Sequence, residues 1–189
     1  MAVSLNFLQH IWYLKQLPRT GWLFAGVRQP ESIADHSYAT AWTALLLAEE
    51  INQDYAAQGL TAPLDCAQVM QIALVHDLAE SVLTDLPKRS AELLGKEQKH
   101  RAEAEAIEVL LKPMPNGDAY IASWYAYTES STPEARLVRD ADKLELLFQA
   151  LRYAESGYQN LQDFWEGHSW TYPASEALWQ TLCQQRTEG

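Results

Sequence analysis

At 189 residues, 48% of them hydrophobic, the chain can bury one sizeable core, and no linker-like shift in composition argues for a second domain. A formal net charge of -11 disfavours nucleic acid or an anionic membrane as partner, because either wants a basic surface. Cys66 and Cys183 lie outside any CxxC spacing and fit a reducing, cytoplasmic setting, and no apolar run reaches the roughly 20 residues of a membrane span.

Residues 4–17 carry apolar side chains at helical spacing with His10 and Lys15 interspersed, unlike a signal peptide with its basic start and continuous apolar run. Pro18 and Gly21 break this helix. Ser32 and Asp35 have capping-box spacing for a helix over 32–57, whose inward stripe runs through Ile33, Thr40, Ala44, Leu47, Ala48 and Ile51. His36 falls on that stripe in the first turn, where a capped, rigid element would hold a ligand.

After the break from Gly59 to Pro63, a helix is expected over 65–79. Val69, Ile72, Ala73 and His76 recur on one of its faces, so His76 points inward. The adjacent pair His76-Asp77 can converge on one divalent cation from a single backbone element, and Glu80 lies one turn further along the same helix. A lone inward histidine is ordinarily a core residue satisfied by a hydrogen bond, with nearby carboxylates as solvated helix-end charges. Two inward histidines on separate helices weigh against that reading.

Further helices are expected over 86–94, 96–112 and 117–129, broken at Thr84 to Pro87, Gly95 and Pro113 to Gly117. The run KEQKHRAEAEAIEVLL, which holds His100, reads as a solvated helix face. His10, and His168 in the loop EGHSWTY, read as structural or surface residues. The last helices, over 133–156 and 174–186, follow breaks at Ser131 to Pro133, Gly157 and Pro173. Asp140 and Asp142 interrupt the first of these. Asp140 adjoins the stripe of Leu137, Leu144, Leu147 and Leu151, and Asp142 shares one with Val138, Leu146 and Gln149, so periodicity leaves both open as a further ligand. Pairing with Arg136, Arg139 or Lys143 would account for either as an ordinary helix charge. With no alternating strands, the fold is expected to be all-α.

Two imidazoles and two carboxylates form a mixed donor set that suits Mn²⁺, Co²⁺, Fe²⁺, Ni²⁺ or Zn²⁺ more than Ca²⁺, with Mg²⁺ retained as a further possibility. Four protein ligands leave room for water and substrate only if the ion exceeds tetrahedral coordination. Such an ion acidifies water from about 15.7 towards about 7, and a nearby carboxylate such as Glu80 can take or aim the proton. A phosphate monoester also needs a cation against its oxygens. Arg19 offers two parallel donors, and Lys88 and Arg89 are further candidates, although such side chains ordinarily face solvent.

The order His, His-Asp, Asp carried on helices resembles the HD-domain metal-dependent phosphohydrolases. The motifs ESIADHSY, HDLAE followed by TDLP, and VRDADKLE resemble their 5′-deoxynucleotidase branch. The resemblance runs from the RTGW segment to the helix ending near residue 156. It implies a helical bundle with one HD domain over 1–189 and a metal-site core at about 19–156. By it, His36, His76, Asp77 and Asp142 match the metal ligands, and Asp140 becomes a bystander. Glu80 matches the catalytic glutamate and Asp85 a sugar contact. Arg19 and Trp22 match a phosphate-binding arginine and its neighbouring tryptophan, separated here by Thr20 and Gly21 where relatives have them adjacent. The segment WYAYTES adds no ligand histidine, unlike the two-iron and cyclic-dinucleotide branches.

The implied activity is hydrolysis of deoxyribonucleoside 5′-monophosphates with one divalent ion, in a protein whose relatives tend to be homodimers. The alternatives are an HD phosphohydrolase for triphosphates or cyclic nucleotides, and a non-catalytic metal- or nucleotide-binding HD module. Glu80, Arg19 and Asp85 together favour an enzyme, since a structural metal site needs none of them.

Overall fold

The computed structural model describes residues 4–188, and among these every regular element is a helix. In chain order they are α1 (Leu5–Leu14), α2 (Gly21–Phe24), α3 (Ile33–Gln53), α4 (Cys66–Val75), α5 (Glu80–Leu83), α6 (Lys88–Leu94), α7 (Lys96–Leu111), α8 (Gly117–Glu129), α9 (Pro133–Glu155), a 3₁₀ turn (Gln162–Trp165) and α10 (Pro173–Glu188). No described helix is long and apolar enough to cross a membrane.

The helix starts follow local chemistry. Ser32 caps α3 by accepting from Asp35 N, and the Asp35 carboxylate accepts from Ser32 N at 2.9 Å, completing the expected capping box. Such a cap is worth about 0.5–2 kcal/mol and fixes where the first turn begins. Asp65 caps α4 through Ala67 N and Gln68 N, and Thr132 caps α9 ahead of Pro133.

α3 is the central element, packed against α9 and α4, while α4 also lies on α8 and α9. Ile51, Val69, Ile72, Leu137, Leu144 and Leu147 fill the space between these helices with 1% exposure or less. Each such aliphatic contributes about 1.5–3 kcal/mol by leaving water. This core sets the mutual positions of α3, α4 and α9, which carry His36 in the first turn, His76 at the end and Asp142 midway along.

Among the departures from the expected pattern, two bear on the site. The helix expected over 65–79 ends at Val75, with His76 as its cap residue. Beyond it, Leu78 N reaches Val75 O, Glu80 N reaches Asp77 O and Ser81 N reaches Leu78 O, each three residues back. These tighter turns break the α-helical ladder, so Glu80 opens a separate short helix. The second feature is the segment leading into α3. Arg19 N donates to Glu31 O and Ile33 N to Leu17 O, around an isolated antiparallel bridge between Pro18 and Ser32. That bridge holds the stretch carrying Arg19 against the start of α3.

Candidate metal centre and active site

His36 is fully buried in the first turn of α3, and His76 is buried at the end of α4. Each ring is anchored through Nδ1. His36 Nδ1 faces Glu145 Oε2 at 2.5 Å, and His76 Nδ1 faces Ala73 O at 2.7 Å. The two rings meet edge to face with centroids 5.5 Å apart. Their Nε2 atoms share a neighbourhood with carboxylates from two other places in the chain. His36 Nε2 lies 3.1 Å from Asp142 Oδ1 and 3.6 Å from Asp77 Oδ2, and His76 Nε2 lies 3.3 Å from Asp77 Oδ2.

A divalent ion suits this arrangement. His36, His76 and Asp142 each offer a ligand atom, all within 4.8 Å of one another, and Asp77 Oδ2 lies beside both imidazoles. His76 Nε2 is buried with no well-directed hydrogen bond, the Asp77 Oδ2 at 3.3 Å being its charged neighbour, a costly state for a polar atom unless something else engages it. Glu31, His36 and Glu145 form a second close group, but its shortest contact is the 2.5 Å hydrogen bond on the far side of the His36 ring.

Asp140 and Asp142, left open by periodicity, are separated here. Asp142 reaches His36 and accepts from Tyr127 OH at 2.7 Å. Asp140 is 1% exposed and turns the other way, accepting from Thr171 N at 2.8 Å and Tyr172 N at 3.3 Å and pairing with Lys143. It latches the loop before α10 to α9.

The charges respond to one another. Burial works against ionising Asp77, but His76, Arg19 and His36 outweigh it and hold the carboxyl well below the usual range. For Asp142, burial is likewise outweighed by the hydrogen bond to His36 and by His76. In the absence of a metal, burial and Arg19 oppose protonation of His36, yet Asp142 and Glu145 push its pKa up to about 10. Glu80 is shifted the other way from the aspartates. Burial, then Asp77 and Asp85, raise it well above the ordinary glutamate value, while Arg19 and Lys99 only partly offset them. Its Oε2 is buried without a partner.

All of this opens on a cavity of about 1100 Å³ lined by Arg19, His76, Asp77, Glu80, Asp85 and Asp142. Arg19 donates to Asp77 Oδ2 at 3.0 Å, so the cation stands directly beside the His-Asp pair. Asp85 Oδ2 accepts from Thr20 N at 2.5 Å and from Thr20 Oγ1 at 3.0 Å, so one of the two residues separating Arg19 from Trp22 holds Asp85. The chain reaches that position through Thr84, a β-branched residue at φ 63°. Such a conformation costs on the order of 1–3 kcal/mol, and the paired contacts of Asp85 with Thr20 offset it. Trp22 touches the cavity but is only 1% exposed. Its indole N–H donates to Glu31 Oε1 at 2.9 Å and its ring stacks on Phe164. Lys88 is exposed at the rim, and the neighbouring Arg89 lies over the Phe24 ring.

Several contributors were not visible in the sequence pattern. The run read as a solvated face places Lys99 and Glu103 on the cavity wall, paired at 3.2 Å, and His168 from the aromatic loop also lines it. For Lys99 and Glu103, the i,i+4 spacing was a readable pairing signal, but nothing in it pointed to a cavity. Tyr127, in WYAYTES, bonds Asp142 and packs its ring against His76. His10 and His100 do occupy structural positions, the first beside Ser81 Oγ and the second stacked on Trp124.

A buried histidine from α3, a His-Asp pair at the exit of α4 and an aspartate midway along α9, brought together in an all-α domain, form a site that can hold a divalent ion, the arrangement of a helical hydrolase domain. A model of the HD domain family matches residues 11–179, and the chain belongs to that family. It is similar to the 5′-deoxynucleotidase HDDC2 of Xenopus laevis, with 35% identity over 167 residues covering 85% of this chain and 75% of that protein. It is also similar to the 5′-deoxynucleotidase hdd1 of Schizosaccharomyces pombe, with 33% identity over 192 residues covering 96% and 89%. Among solved structures, a conserved hypothetical protein from Pyrococcus furiosus superposes with a TM-score of 0.79 at 35% identity, covering 97% of this chain and 99% of its own.

Proposed function

We propose that this protein is a metal-dependent 5′-deoxynucleotidase, releasing phosphate from deoxyribonucleoside 5′-monophosphates. The observation that carries the reading is the shared cavity. His76, Asp77 and Asp142 line it together with Glu80 and Arg19, and the buried His36 reaches Asp142 from behind, in a chain whose relatives bear that name. The whole of 1–189 acts as one domain, with the site core between about residues 19 and 156.

His36, His76, Asp77 and Asp142 would hold one divalent ion drawn from Mn²⁺, Co²⁺, Fe²⁺, Ni²⁺, Zn²⁺ and Mg²⁺, the hard and intermediate ions that accept imidazole with carboxylate. When bound, that ion supplies Lewis acidity, making water nucleophilic near neutrality and offsetting charge on phosphoryl oxygens.

The chain's own residues do the rest. Arg19 directs its guanidinium at the phosphate oxygens, fixed in place by Asp77 and by the backbone bond from Arg19 N to Glu31 O. Glu80 accepts the proton of the attacking water at Oε2. Burial and neighbouring carboxylates make it a stronger base than an exposed glutamate, and the proton ends on the 5′ oxygen of the released deoxynucleoside. Asp85 spends Oδ2 on Thr20 and keeps Oδ1 for the 3′-hydroxyl of the sugar. Trp22, stacked on Phe164, backs the wall beside the 2′ carbon, and Lys88 adds positive charge at the rim. A ribose 2′-hydroxyl pressed against that wall would be buried without a partner.

The test is a phosphate-release screen over matched deoxy- and ribonucleotides, run with each metal in turn. Deoxyribonucleoside 5′-monophosphates should be cleaved well, ribonucleotides poorly and 3′-monophosphates hardly at all, with little dependence on the base. Equal rates for deoxy and ribo 5′-monophosphates would remove the deoxynucleotidase reading.

A further inference from the structure

We propose that Glu145 is the positioning residue that sets the tautomer, orientation and donor strength of His36 towards a divalent ion, an inference that rests on the metal-site reading above. His36 stands between two carboxylates, with Nδ1 2.5 Å from Glu145 Oε2 and Nε2 3.1 Å from Asp142 Oδ1. An imidazole that gives its Nε2 lone pair to a cation carries its single proton on Nδ1, and that proton needs an acceptor. Glu145 is that acceptor. It lies on α9 three residues beyond Asp142, so neighbouring turns of one helix supply both a ligand and the support behind another ligand.

The geometry separates this role from two others. Glu145 could share a second ion with His36 and Glu31, whose ligand atoms also lie within 4.8 Å of one another. Atoms that share an ion through bonds of about 2.0–2.2 Å stand roughly 3 Å or more apart, whereas 2.5 Å is a short charge-assisted hydrogen bond. Glu145 could instead merely fill the core. A carboxylate only 5% exposed is an expensive filler, and an aliphatic of similar volume would pack there without the desolvation cost.

His76 gives the comparison within the same site, because its Nδ1 is met by the neutral carbonyl of Ala73 at 2.7 Å. A carboxylate behind the ring raises ligand basicity more than a carbonyl does. His36 is therefore the stronger of the two imidazole donors, and Glu145 is the cause.

The experiment loads wild-type, Glu145→Gln and Glu145→Ala protein with Zn²⁺. It reads affinity by calorimetry, the His36 ring by ¹⁵N–¹H correlation, and the melting temperature of each metal-free form. Glu145→Ala should bind Zn²⁺ about 10–100-fold more weakly and lose the slowly exchanging Nδ1–H signal. Glu145→Gln keeps an acceptor without the charge. It should retain the Nδ1–H signal, shifted upfield, and bind with intermediate affinity.

Wild-type affinity in Glu145→Ala, even with a lowered melting temperature, would overturn the positioning role and leave a packing role. Should Glu145→Ala not fold, an unchanged affinity and unchanged Nδ1–H position in Glu145→Gln would overturn it equally. Wild-type protein that takes up no Zn²⁺ would overturn the metal reading and this role together, an outcome distinct from either of the others.

Discussion

Replacing Asp140 by alanine separates the two aspartates of α9. The change removes a carboxylate that is 1% exposed and receives the backbone N–H groups of Thr171 and Tyr172. Hydrogen bonds to a charged acceptor contribute about 1.5–3 kcal/mol each, whereas the partly exposed pairing with Lys143 adds under about 1 kcal/mol. Thr171 is exposed and its amide recovers water on truncation, so the net loss falls at the low end, about 3 kcal/mol. For a chain of this length that lowers the melting temperature by roughly 6–12 °C. The ligand atoms of His36, His76 and Asp142 are untouched. Asp142→Ala should lose stoichiometric metal, and because it also strips Tyr127 OH and His36 of their acceptor it lowers metal-free melting as well, so metal content is what separates the two variants. Calorimetric melting in chelator and elemental analysis after gel filtration give the two readouts. An Asp140→Ala protein that melts normally and lacks metal, beside an Asp142→Ala protein that keeps it, would refute the reasoning.

Glu80→Gln should bind metal as the wild type does and lose about 10²-fold or more in turnover, as when acid–base assistance is removed; turnover at the wild-type rate would exclude Glu80 as the base. Lys99→Ala should raise KM for the nucleotide about three- to tenfold at constant metal content, because a half-buried cation on the wall is screened but not silent; unchanged KM would return Lys99 to the solvated face. Metal affinity should climb with pH, because the ion takes unprotonated imidazole and the metal-free His36 holds its proton up to about 10. The sign for metal-free stability is opposite. A raised His36 pKa stabilises the fold fully below its ordinary 6.5, and that contribution is lost as pH rises through about 10. Calorimetry in buffers of different protonation enthalpy should show protons released on loading, and affinity that is flat from about pH 6 to 9 would contradict this.

Much of the fold was legible because its signals are local. The Ser32–Asp35 capping box, the Pro133 start of α9 and the inward stripes of α3 and α4 each depend on residues within a turn or two of one another. The resemblance of the motifs chose Asp142 over Asp140, which periodicity had left undecided. The exit from α4 was less legible, because the three-residue turns after Val75 answer to packing around Leu78 and Ala79, both buried, and not to a proline or glycine. Neither α2 nor the 3₁₀ turn at Gln162–Trp165 was anticipated, each being only four residues long and too short to show a period.

What the sequence withheld about the site was the set of contacts between residues far apart in the chain. Glu145 meets His36 across 109 positions, Thr20 meets Asp85 across 65 and Arg19 meets Asp77 across 58. Each residue by itself has an unremarkable reading, as a helix charge, a loop hydroxyl or a surface cation. The fold changes those readings by withdrawing water. Once Asp77 and Asp142 are enclosed, their charges must be answered by whichever cations the packing brings near, and these are the His36 and His76 imidazoles and Arg19. The same enclosure sets Glu80 apart, because its carboxyl lies beside Asp77 and Asp85 with only partial compensation from Arg19 and Lys99. Neighbouring charge thus sets Asp77 and Asp142, held strongly acidic, apart from Glu80, held basic. That division follows from helix packing on either side of the break at His76, and under the proposed function it would let ligand and base come from residues only three apart in sequence.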